Sequence, residues 1–141
     1  MSGEISPLVA SLNVAVGGAV GSVLRYHVGR FLGGFAAPGE GVMQPPFPWG
    51  TLGVNILGSL AMGVLVGWLA RGSLGGNTEP LRLLIGVGLL GGFTTFSAFS
   101  AEMVAMLHRG QSGLAIGYAA ASLIAGMAAM ILGLLAAQSV T

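Results

Sequence analysis

The chain has 141 residues, of which 54% are hydrophobic and only 6% charged, whereas a soluble domain carries roughly a quarter charged residues. That composition describes a membrane protein. With arginine and glutamate as its only Lys/Arg/Asp/Glu charges it offers no basic patch for nucleic acid, and without cysteine it has no disulfide, thiolate metal site or cysteine nucleophile.

The first residues, "MSGEISPLVA", lack the positively charged region of a cleaved signal peptide, so the first apolar stretch is expected to stay in the protein. A bilayer core takes about 20 apolar residues per helix, and four stretches reach that length: 8–33, 49–70, 83–107 and 113–137. They predict one transmembrane domain over 1–141, all α, with both termini on one side. The joining segments are the Gly/Pro-rich "GFAAPGEGVMQPPFP" at 34–48, the turn "RGSLGGNTEP" at 71–80 and the short "HRGQS" at 108–112. Pro80 fits the first turn of the third helix, where its missing N–H costs nothing.

Polar side chains inside such spans face protein or a water-filled cavity and are functional candidates. Arg25 lies late in the first span, where its long side chain can snorkel to the interface. Asn55 sits between Val54 and Ile56 inside the second span, either joining helices or lining a path. The third span carries "GLLGGFTTFSAFSAEM", residues 88–103. Glycine and β-branched threonine both weaken a helix, so Gly91, Gly92, Thr94 and Thr95 predict a break. Carbonyls exposed at such a break need protein, water or an ion, and carbonyls converging from two of them would suit Na⁺.

Beyond the break, Phe96 and Phe99 are spaced to face one space, as core packing or as electropositive ring edges for a small anion. Asn55 with the hydroxyls of Ser97, Ser100 and Ser122 would complete such a path. Glu102 lies more than a turn inside the span and needs a partner, a proton or a watery vestibule, the last being favoured. In the fourth span, Tyr118 and Ser122 share a helix face.

The termini and the second loop hold Arg71 and Arg82, while the opposite side holds Arg30 and Arg109, with Arg25 near it. Orientation follows the Lys/Arg bias of short loops, and this near balance permits insertion both ways, hence an antiparallel dimer. The chain has 26 glycines, and small residues four apart, such as Gly17 and Gly21, Gly63 and Gly67, Gly88 and Gly92, and Gly113 and Gly117, predict closely packed helices.

Three segments, "GGAVGSVLRY" (17–26), "WGTLGVNILGSLAMG" (49–63) and "GLLGGFTTFSAFSAE" (88–102), together resemble the Fluc/CrcB family of bacterial fluoride channels. The resemblance covers nearly the whole chain. It implies an antiparallel, dual-topology homodimer in the bacterial inner membrane, with two pores passing F⁻ passively out of the cell and no enzymatic activity. It assigns Asn55, Phe96 and Phe99 to the pore and Tyr118 and Ser122 to a polar track on the fourth helix. It gives the Gly91 and Thr94 backbone carbonyls to a structural Na⁺ that is not transported, and matches Arg25 and Glu102 to the family's arginine and acidic positions. Ala98 departs from it, standing where the family commonly has threonine, and the 34–48 segment is long and proline-rich, which is expected to affect the entrance.

Two other readings of the residues stay open at this level. A proton-coupled small multidrug transporter is also a four-span dimer, but it would place its glutamate in the first span, which has none. A non-transporting assembly subunit would use Asn55 and the glycines for packing alone.

Overall fold

The computed structural model describes residues 5–33, 47–71 and 78–139. Most of the expected 34–48 segment and the middle of the 71–80 turn lie outside the described residues. Four helical spans, each long and apolar enough to cross a membrane, account for nearly all of the rest. They are α1 (Pro7–Gly33), α2 (Trp49–Ala70), a third span over Glu79–His108, and α6 (Ser112–Ser139).

The third span is composite. It opens with α3 (Glu79–Leu81), with Pro80 in its first turn, and continues as a π-helix over Arg82–Leu90. The wider winding shows where the Gly91 N–H reaches back to Gly86 O. A short α4 (Gly91–Phe93) follows, then Thr94 and Thr95 in extended conformation, then α5 (Phe96–His108). The turn into α6 satisfies the last carbonyls of α5 in a Schellman arrangement. Gly110 N–H donates to Leu107 O at 3.0 Å and Gln111 N–H to Met106 O at 2.9 Å, with Gly110 at φ 72°, where a side chain would be strained.

Helix association in lipid relies on close packing rather than on a hydrophobic drive, and the glycines supply the approach. A Cβ on Gly21 would strike Leu89 O, and one on Gly92 would lie 2.6 Å from Gly18 O, so α1 lies backbone to backbone on the third span. Gly63 meets the Met130 carbonyl and Gly67 the Leu134 carbonyl, bringing α2 onto α6. Gly113 and Gly117 have no neighbour within 4 Å of a would-be Cβ. Their faces, like the exposed Ile116, Leu123 and Ile124 of α6, are left to lipid or another chain.

Three of the pairs joining α2 to α6 share one offset in residue number. A Cβ on Gly126 would lie 3.6 Å from Ser59 Oγ, Gly63 meets Met130, and Gly67 meets Leu134. Two helices in contact at a fixed offset run parallel, as the second and fourth spans of an up-and-down bundle must. Extended backwards, the same register sets Asn55 opposite Ser122 and Thr51 opposite Tyr118.

Candidate functional site

Thr94 has φ −79°, ψ 159° and Thr95 φ −150°, ψ 119°, so both leave the helical region. Threonine suits this because its hydroxyl offers the backbone an alternative to the helix ladder. The Thr95 hydroxyl caps α5, accepting from Ala98 N–H at 3.2 Å. The Thr94 hydroxyl donates back to Leu90 O at 3.0 Å.

Asn55 braces this interruption from α2. Its Oδ1 accepts from Thr95 N–H at 2.8 Å, and its Nδ2 donates to Thr95 O at 3.1 Å. One side-chain amide thereby satisfies both backbone groups of a residue that has left the helix, which apolar surroundings demand. Arg25 reaches across from α1, donating from Nη1 to Thr94 O at 3.2 Å.

These contacts redirect two carbonyls. In a continuing helix Thr95 N–H would bond to Gly91 O and Ala98 N–H to Thr94 O. Here the first goes to Asn55 and the second to the Thr95 hydroxyl. Gly91 is exposed and Thr94 half-buried.

Further along α5, Glu102 is held by two hydroxyls from different helices. Thr51 Oγ1 donates to Oε1 at 2.6 Å and Tyr118 OH donates to Oε2 at 2.7 Å. Short O–H···carboxylate bonds of this kind are strong, and they meet the need of an acidic group placed inside a span. Tyr118 is fully buried, packing with Leu52, Met106 and Ala115. Its ring lies 5.1 Å from Phe99 and edge-on to Phe47 at 5.4 Å.

Between these features, α2, α6 and the Thr94–Phe99 stretch border an open cleft of about 410 Å³. Asn55, Ser59, Thr95, Phe96, Phe99 and Ser122 contribute to its wall. The rings of Phe96 and Phe99 are 5.7 Å apart and tilted by 36°. Phe96 is 79% exposed and forms the mouth. The Ser122 hydroxyl is buried, one turn along α6 from Tyr118, and has no well-formed hydrogen bond among the described residues, which in an apolar surrounding leaves a donor for an incoming group.

The structure thus brings Asn55, Phe96, Phe99 and Ser122 together. Ser97 and Ser100 lie off this wall: Ser97 Oγ pairs with Thr95 Oγ1 at 3.2 Å, and Ser100 Oγ donates to Phe96 O at 2.9 Å. Tyr118 and Glu102 stand one turn beyond the cavity, and Arg25 approaches the interruption from the opposite side. Thr51 and Ser59 escaped the sequence reading. Their signal was the spacing of four in Thr51, Asn55 and Ser59, which puts all three on one face of α2. Among the described residues, no group of three His, Cys, Asp or Glu side chains is placed to hold a metal.

Comparison with known proteins places this arrangement in context. The family model described as "CrcB-like protein, Camphor Resistance (CrcB)" matches residues 12–134. The chain is 52% identical over 127 residues to the "Fluoride-specific ion channel FluC" of Novosphingobium aromaticivorans, covering 90% of this chain and 94% of that one. It is 51% identical over 132 residues to the protein of the same name from Erythrobacter litoralis, covering 93% of each. For that of Caulobacter vibrioides the identity is 48% over 130 residues, covering 92% and 95%.

Proposed function

The chain belongs to the CrcB-like family of fluoride-specific ion channels, which are not enzymes, and from that premise we propose that it carries F⁻ passively down its gradient and out of the cell. The observation that supports this most is the buried Ser122 hydroxyl, without a well-formed hydrogen bond among the described residues, beside a cleft walled by Asn55 and two phenylalanines. Fluoride is small and holds its water strongly, so a path must replace that water with close donors while staying too narrow for chloride. The second Nδ2 hydrogen of Asn55 and the Ser122 hydroxyl are neutral donors of that kind. The ring edges of Phe96 and Phe99 add weak positive potential without a fixed charge that would trap the anion.

Tyr118 and Glu102 lie beyond that stretch, where the hydroxyls of Thr51 and Tyr118 neutralise the carboxylate's demand for donors. Ser97 and Ser100, on the outer side of α5, would meet the anion only at the mouth. Arg25 contributes a positive charge that attracts the anion toward the interrupted segment from the α1 side.

The working unit in this reading is an antiparallel homodimer in the bacterial inner membrane, with one pore per subunit. Support comes from the balanced arginines and from the exposed Phe96 at the cavity mouth, which a second copy would cover. The third span is functionally broken at Thr94–Thr95. The carbonyls of Gly91 and Thr94 would hold a Na⁺ shared between the subunits: both have lost their helix donors, and both are hard neutral oxygens. That ion would supply structural cohesion only. Because Thr94 O also accepts from Arg25, the ion would share that oxygen with a guanidinium.

The test is growth of a bacterium that lacks its own fluoride exporter. Expression of this chain should restore growth in fluoride, and continued sensitivity with the protein present in the membrane would refute the function. Reporters fused to the C-terminus should report both orientations, whereas a single orientation would refute the antiparallel dimer.

A further inference from the structure

The parallel register of α2 and α6 divides their seam into successive levels. At the first, Thr51 and Tyr118 close on Glu102. At the next, Asn55 is bonded to Thr95, and Ser122 has a buried hydroxyl with no well-formed hydrogen bond among the described residues. At the third, Ser59 faces Gly126, and a Cβ on that glycine would still leave 3.6 Å to Ser59 Oγ. At the fourth, Gly63 packs directly on the Met130 carbonyl and the helices close. The cavity spans the second and third levels, with Met130 at its inner limit.

From this geometry we infer that Ser59 is a further anion-contacting residue, supplying the donor at the inner end of the path one turn past Asn55. The inference rests on the channel reading above. Ser59 is half-buried, and it lies ten residues into a 22-residue span, so at about 1.5 Å per residue it is near mid-membrane. A hydroxyl there either bonds its own helix or waits for a ligand. Glycine at 126 keeps the space in front of it open. An anion at the Asn55–Ser122 level therefore has one more donor a helical turn away on the same wall.

The test uses full-length protein in liposomes loaded with fluoride, with efflux read by a fluoride electrode and dimer content by size exclusion. Ser59→Ala should lower efflux at least tenfold with the dimer intact. If Ser59→Ala fails to assemble, Ser59→Cys, nearly the same size but a weak donor, carries the same expectation. Adding Gly126→Ser to Ser59→Ala returns a hydroxyl to that level from the facing helix and should recover a substantial part of the rate. A packing role for Ser59 would not be rescued in this way. Efflux within twofold of wild type in the Ser59 variant, or no recovery in an assembled double variant, overturns the inference while leaving the channel reading intact. A wild-type chain that releases fluoride no faster than empty liposomes defeats both.

Discussion

Replacing Asn55 with alanine removes both hydrogen bonds that hold Thr95. Each bond contributes about 1 kcal/mol net, and stranding a buried N–H or C=O costs about 1–3 kcal/mol, so the interrupted segment should lose about 2–4 kcal/mol of local stability. At about 1.4 kcal/mol per factor of ten, that corresponds to opening roughly 30- to 1,000-fold more often. Hydrogen exchange read by mass spectrometry on peptides covering 91–99 measures the opening directly, because amides protected only by local structure exchange through it. Amides in α6 act as the internal reference and should change little. Exchange in 91–99 within threefold of wild type, in a protein that still assembles, would refute the claim that Asn55 braces the extended Thr94–Thr95 segment.

Phe96→Ala and Phe99→Ala should each greatly reduce fluoride efflux with the dimer retained, and undiminished efflux would remove the rings from the path. Glu102→Gln leaves one acceptor oxygen where Thr51 and Tyr118 now use two. It should destabilise the protein by about 1–3 kcal/mol, seen as a lower thermal midpoint by tyrosine fluorescence, and an unchanged midpoint would contradict the geometry. Subunits reassembled with a large organic cation in place of Na⁺ should give less dimer on size exclusion. Equal dimer in both salts would count against a cation at Gly91 and Thr94.

Four spans and the CrcB-like family were legible because length, apolarity and three motifs are local properties of the sequence. Asn55 stood out for the same reason: an amide between Val54 and Ile56 is costly unless it has a purpose. Its partner was not legible, since that partner is the backbone of Thr95 on another helix, and no side-chain pattern marks it. Thr51 was overlooked because a threonine in an apolar helix commonly bonds to its own turn, and only the fold brings Glu102 to it. Ser97 and Ser100 looked equivalent to Phe99 as neighbours in one polar run. At about 100° per residue, however, they turn to the opposite side of Phe96 from Phe99. The π winding of Arg82–Leu90 was not legible either, because a glycine-rich apolar run reads alike in α and π helices.

On the reading proposed above, the seam between α2, α5 and α6 conducts fluoride and not chloride. The decisive experiment is efflux of the two halides from liposomes containing the purified protein, measured side by side with ion-selective electrodes. Fluoride should leave rapidly while chloride stays at the rate of protein-free liposomes. Equal release of both, or release of neither, would show that this seam is not a fluoride-selective path.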